Sequence, residues 1–244
     1  MQTDENCKTI GVLGGMGPLA SAAFVRTIYS MYRGRIEQEA PLVILYSNPR
    51  IGDRTKTFLS GGDCTPLLQE LENGVRTLLG ANASEIVICC ITMHYLLPKL
   101  PSELRARVIS LIDTAIDRIR SSENRCLLAS TTGTRQLGLF QRHPDWGYIH
   151  DQIVLPDPEE QTQLHDAIYS VKRTHSTSPL IQALDTIASR HGAQAIVFGC
   201  TELHLLSESS AGPNLLSQKF EIIDPLTAIA QRIAEEQYVG TICA

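Results

Sequence analysis

Short aliphatic and β-branched runs alternate with amphipathic stretches along the whole chain, which predicts an α/β fold of βα units wound on parallel sheets. Thr9 to Leu13 reads as a buried strand opening into Gly14-Gly15-Met16-Gly17, and Pro18 suits the first turn of a helix reaching about Tyr32. Leu42 to Tyr46 predicts a second strand, followed by a turn-rich stretch from Ser47 to Asp53. From Thr65 to Leu79, the apolar residues Leu67, Leu68, Leu71, Val75, Leu78 and Leu79 recur at helical spacing. Glu85 to Cys89 and Val108 to Ile112 predict the third and fourth strands. A second series follows, with a strand from Cys126 to Ala129, a turn at Thr131-Thr132-Gly133 and helices near Glu159–Lys172 and Pro179–Arg190. Strands Ala195 to Phe198 and Phe220 to Ile223 come next, and Pro225 to Gln237 predicts an amphipathic closing helix.

The two series share a device. Gly80-Ala81-Asn82-Ala83 leads through Ile86-Val87-Ile88-Cys89-Cys90 to His94-Tyr95-Leu96-Leu97, while Gly192-Ala193-Gln194-Ala195 leads through Ile196-Val197-Phe198-Gly199-Cys200 to His204-Leu205-Leu206. Two pseudo-equivalent α/β halves are therefore expected, one of residues 1–114 with 225–244 and one of residues 115–224. Ligands of open α/β sheets bind beyond the carboxyl ends of the strands, so the halves should present Cys90 and Cys200 to one cleft.

Composition narrows the partner. A net charge of −5 and no run of Lys or Arg argue against nucleic acid and anionic membrane surfaces, leaving a small molecule. The polar stretch Met1 to Lys8 lacks the apolar core of a leader, and no stretch approaches the roughly 18 apolar residues of a membrane span, so a cytoplasmic protein is expected. Seven cysteines there are core residues or reactive thiols rather than a disulfide framework. Cys89 should point away from Cys90 along its strand, and Cys7, Cys64, Cys126 and Cys243 carry no motif.

Inverting a chiral carbon through a planar carbanion needs a base on one face and an acid on the other, with the roles exchanged for the reverse direction. Two thiols from two equivalent halves can supply this, if a helix N-terminus or a histidine draws the thiol pKa from about 8.5 toward neutrality. His94 follows Cys90 by four residues and Glu202 follows Cys200 by two, so either could tune its thiol. Backbone N–H groups of Gly14 to Gly17 and Thr131 to Gly133 are candidate carboxylate nests. Arg54, Lys172 and Arg50 are the candidate cations for a second carboxylate, with Arg54 suited to bidentate binding.

These residues resemble the aspartate racemase branch of the aspartate/glutamate racemase superfamily. Gly14-Gly15-Met16-Gly17-Pro18-Leu19-Ala20 is similar to its N-terminal signature and Asn48-Pro49-Arg50-Ile51-Gly52-Asp53-Arg54-Thr55 to its substrate loop. Cys90-Ile91-Thr92-Met93-His94, Thr131-Thr132-Gly133-Thr134, Ile168-Tyr169-Ser170-Val171-Lys172 and Gly199-Cys200-Thr201-Glu202 resemble its later motifs in order. The resemblance implies two Rossmann-like halves, a homodimer, no pyridoxal phosphate or other cofactor, no metal, and an acidic amino acid as substrate. It implies that Cys90 and Cys200 are the acid/base pair and that Arg54 and Lys172 hold the distal carboxylate. Met16, Asn48, Thr92, Thr132 and Thr201 would line the remaining substrate contacts, with His94 and Glu202 in support. A racemase serving a cyanobacterial nonribosomal peptide pathway is the closer identity the resemblance implies. The chain departs from the pattern at Ile91, where the family has Asn, and at Gly52, where it has Pro; the first bears on aspartate over glutamate.

Other readings are weaker. Gly15-Met16-Gly17-Pro18-Leu19-Ala20 fits a dinucleotide loop, but Leu45-Tyr46-Ser47-Asn48 offers no acidic residue for a ribose. Adjacent Cys89 and Cys90 do not form the C-x-x-C of thiol redox proteins. A noncatalytic amino-acid-binding module would not need both cysteines. A glutamate or hydantoin racemase and a maleate-type cis–trans isomerase complete the alternatives. Lys172 lies on an otherwise polar helix face, where a solvated lysine is the default.

Overall fold

The computed structural model describes residues 8–207 and 215–242, so Cys7 and Cys243 lie outside the described residues. The first half runs β1 (Thr9–Gly14), α1 (Pro18–Met31), β2 (Leu42–Ser47), α2 (Arg54–Leu59), α3 (Thr65–Gly80), β3 (Glu85–Ile88), α4 (Ser102–Arg105), β4 (Val108–Ile109) and α5 (Leu111–Arg120). The second runs β5 (Cys126–Ser130), α6 (Thr132–Gln136), α7 (Trp146–Ile149), β6 (Ile153–Val154), α8 (Pro158–Thr174), α9 (Ser178–Arg190), β7 (Ala195–Gly199), α10 (Leu215–Lys219) and β8 (Glu221–Ile223), before the final helix α11 (Pro225–Ile242).

All strand pairs are parallel, in two four-stranded sheets ordered β2-β1-β3-β4 and β6-β5-β7-β8. The two orders are the same pattern. In each sheet the chain reverses its direction of travel between the two central strands, β1 and β3 or β5 and β7, and a crevice opens beyond their carboxyl ends. Cys90 follows β3 and Cys200 follows β7, so equivalent positions in the topology put both thiols at a crevice.

Helix α3 forms because Leu67, Leu71, Val75 and Leu78 fall on one face, all buried against the first sheet. Helix α8 opens with a capping box between Asp157 and Glu160 and buries Leu164, Ala167, Ile168 and Val171. Alternation divides the second sheet: Cys126, Leu128, Ala195 and Val197 join the larger core shared with the first half. Leu127, Ala129, Ile196 and Phe198 face the other way, into the core under α8 and α9. Helix α11 then returns to pack on α1 and α5.

One expected element differs, and one edge strand was not expected. The strand expected from Val108 to Ile112 stops at Ile109, because Ser110 accepts the Asp113 N–H and caps α5. Leu111, Ile112, Ala115, Ile116 and Ile119 repeat at helical spacing, a pattern hidden behind the β-branched run before it. The two-residue edge strand β6 was not foreseen, since its length leaves no periodicity to read. Among the described residues no helix is long and apolar enough to cross a membrane.

Candidate active site

The cleft between the halves holds a cavity of about 290 Å³, lined by Gly15, Met16, Gly17, Arg54, Lys172 and Glu202 among others. The turn after β1 supplies one wall: Gly15 has a φ of 93°, and a Cβ there would come within 2.3 Å of the Asn48 backbone. Gly17 then caps α1, with Pro18 at its first position.

Cys90 and Cys200 do not line this cavity; each is 6 % exposed, and they interact with Arg54 and Lys172, which do line it. Strand β3 ends in a tight reversal, in which the Cys89 N–H donates to Leu13 O at 2.9 Å and the Cys90 N–H turns back to Ile88 O at 2.7 Å. Cys89 is fully buried, and burial pushes its thiol well above the ordinary range. Burial likewise pushes Cys126 up to about 11.

The surroundings of the two thiols are unlike. Arg54 is the cation that interacts with Cys90. Its Nη1 donates to Gly52 O at 2.8 Å and its Nη2 to Met16 O at 2.6 Å, while Nε is buried without a hydrogen-bond partner. Burial works against this cation, but Cys90, Glu202 and Asp53 outweigh it and hold the charge. The Cys200 thiol instead donates to Glu202 Oε2 at 2.9 Å. Burial and then Glu202 push Cys200 well above the ordinary thiol range, with Lys172 acting the other way. This is opposite to the expected pull toward neutrality. The segments following the cysteines, Thr92–Lys99 and Thr201–Leu206, are short 3-10 turns, so neither thiol stands at an α-helix N-terminus.

Lys172, near the end of α8, is not the solvated lysine that its polar helix face suggested. Its Nζ lies 3.1 Å from Glu202 Oε1 and 4.9 Å from the centre of the Tyr169 ring. Burial acts to lower its pKa, but Glu202 and the two cysteines hold it above the ordinary lysine value. The Tyr169 hydroxyl donates to Asp53 Oδ2 at 3.0 Å, joining the two halves across the cleft. Burial works against the Asp53 carboxylate, yet the Lys56 N–H, Tyr169, Arg54 and Lys172 hold its pKa below the usual range. Tyr169 and Asp53 had no assigned role in the sequence, although Tyr169 and Lys172 stand three residues apart on one helix face.

The remaining candidates have other engagements. The Thr92 hydroxyl lies 2.9 Å from that of Thr134, and Thr201 Oγ1 donates to Cys89 O at 3.2 Å, so each half reaches into the other. The Thr132 N–H donates to His165 Nδ1 at 3.3 Å, which uses one donor of the expected nest. Asn48 turns its amide to Glu70 at 3.2 Å and does not line the cavity. His94 is buried, its Nδ1 3.0 Å from Cys90 O and its Nε2 accepting the Leu111 N–H at 3.1 Å. That second bond makes the ring a neutral Nδ1–H tautomer, and burial lowers its pKa to about 4. His94 thus ties the Cys90 main chain to the start of α5 and does not bond the thiol. Among the described residues no three His, Cys, Asp or Glu side chains gather as a metal site.

Two buried thiols on opposite halves, two cations and a glycine-rich turn suit proton exchange at a carbon flanked by carboxylates. Comparison with known proteins points the same way. The family model described as Asp/Glu/Hydantoin racemase matches residues 13–233. A Picrophilus torridus aspartate racemase superposes with a TM-score of 0.78 at 23% identity, covering 95% of this chain and 94% of that one. A glutamate racemase from Francisella tularensis, solved with D-glutamate, gives a TM-score of 0.62 at 16% identity, covering 97% and 83%. An uncharacterized protein encoded in the pnlA 3′ region of Pectobacterium carotovorum is 30% identical over 114 residues, 45% of this chain and 73% of that protein.

Proposed function

The chain belongs to the Asp/Glu/hydantoin racemase family, and on that premise we propose that it is a cofactor-independent aspartate racemase whose Cys90 and Cys200 exchange the α-proton from opposite faces. The observation that carries this reading is the equivalence of the thiols, one beyond β3 and one beyond β7, each interacting with a cation, Arg54 or Lys172, that lines the cleft. A thiolate on one side removes the α-proton while the thiol on the other returns one, and the roles reverse for the opposite enantiomer. Arg54 and Lys172 hold the distal carboxylate, and their charge favours the planar carbanion. Met16, Thr92, Thr132 and Thr201 complete the substrate shell, Asn48 standing further out; Thr92 and Thr201 give up their cross-bonds as substrate enters. Substrate reaches the thiols once its carboxylate has displaced Glu202 from Lys172.

The test is proton NMR of the purified protein with L-aspartate in D2O, beside L-glutamate and maleate, with chiral chromatography of the products. Loss of the α-proton signal with appearance of D-aspartate is expected. Exchange with glutamate alone would move the assignment to glutamate, as Ile91 allows. Turnover of maleate alone would make the protein an isomerase, and no reaction under reducing conditions would make it a binding module.

A further inference from the structure

Of the polar side chains lining the cavity, the Glu202 carboxylate is the most tightly enclosed, with 3 % of the residue exposed. Oε2 accepts the Cys200 thiol at 2.9 Å and Oε1 sits 3.1 Å from the Lys172 ammonium. A Cβ on Gly17 would lie 2.5 Å from Oε1, so the bare glycine makes the position possible. A buried carboxylate is costly unless it is paired, and here a lysine, a thiol and a missing side chain all serve it. The other thiol faces the Arg54 guanidinium instead. An anion beside a thiol favours S–H, whereas a cation favours the thiolate.

We propose that Glu202 is a positioning residue that keeps the proton on Cys200 in the empty enzyme, so that Cys200 is poised as the proton donor of the pair. This rests on the two-thiol reading above. For the enantiomer whose α-hydrogen faces Cys90, the Cα–H bond breaks, its proton passes to the Cys90 sulfur and its electron pair remains on carbon. The carbanion then takes the Cys200 proton, and the S–H electron pair stays on Cys200. After product leaves, Cys90 gives its proton to water and the Cys200 thiolate, repelled by Glu202, takes one from water. The other enantiomer uses the form in which the proton sits on Cys90. The other charged group acting on Cys200 is Lys172 from α8, which opposes Glu202.

The experiment is a pH titration of the whole, reduced protein carrying 13Cβ-labelled cysteine, followed by NMR, with the two resonances assigned through Cys90→Ser and Cys200→Ser. Glu202→Gln, which keeps size and acceptor but removes charge, should move the Cys200 midpoint to lower pH; Lys172→Met should move it higher. Circular dichroism reports whether each variant folds, and if Glu202→Gln does not, the Lys172→Met shift decides alone. A Cys200 midpoint unmoved in a folded variant overturns the proposal. No turnover is read, so a failure here is separate from a failure to racemise aspartate.

Discussion

Gly17 lacks a side chain, and Glu202 Oε1 fills the space this leaves. Gly17→Ala should therefore push Glu202 off Lys172 or close the cavity mouth. The expected loss of kcat/KM is about 10- to 100-fold, with little change in melting temperature, read by chiral assay and circular dichroism; wild-type kinetics would remove Gly17 from the site. Cys90→Ala and Cys200→Ala should each lower racemisation by about 10²- to 10⁴-fold. Each should cost only about 1 kcal/mol of stability, because a single sulfur atom is lost from the core. Near-full activity in either variant would end the two-thiol mechanism. At this scale the sequence was legible wherever a repeat marked a position, as with Cys90 and Cys200, and wherever a backbone requirement showed, as at Gly15. It was not legible where the direction of a side chain depends on what packs against it. His94 and Asn48 carry the right chemistry, but one binds main chain and the other turns to Glu70. Lys172 lies on a polar face, yet Glu202 from another segment draws it inward.

Helix α5 links structure to the site through its first turn. Ser110 caps it, and the neighbouring Leu111 N–H holds His94, which in turn holds the Cys90 carbonyl. Ser110→Ala should cost about 1 kcal/mol in urea unfolding, while reducing activity less than any cysteine substitution does; an unchanged urea midpoint would deny the cap its role. Helices with a clear apolar stripe, α1, α3, α8 and α9, could be read with their ends within a residue or two. Helix α5 could not, because Val108 and Ile109 read as strand and carried the reading past Ser110. The 3-10 geometry of Thr92–Lys99 and Thr201–Leu206 was likewise hidden, since helical spacing does not separate 3-10 from α over so short a span.

Over the whole molecule, pH acts through buried groups. His94 is neutral in the fold with a pKa of about 4, against 6.5 for an unhindered ring. Between these values the unfolded chain binds a proton that the fold refuses, so stability falls as pH drops from 6.5 to about 4 and falls no further below it on this account. The loss is on the order of 3 kcal/mol. Thermal midpoints of wild type and His94→Gln from pH 7 to 4 should converge, and parallel slopes would sink the assignment. Leu19 and Tyr29 on α1, Ile36, and Leu42 and Leu45 on edge strand β2 are exposed apolar residues, and we take them to support a homodimer. Light scattering should give twice the chain mass, and Leu42→Lys with Leu45→Lys should halve it; a monomeric wild type would discard the dimer. The doubled topology was legible because the repeat preserved strand, turn and cysteine together. How the halves meet was not, because cross-bonds such as Thr201 to Cys89 leave no periodic trace. The return of α11 to α1 and α5 also bears on biosynthesis. A ribosome delivers β1 to α5 first, but the helix that covers their apolar surface is made only after the entire second half has emerged. The nascent first half must wait with that surface bare, so chaperone dependence during translation should fall on it rather than on its later-made counterpart.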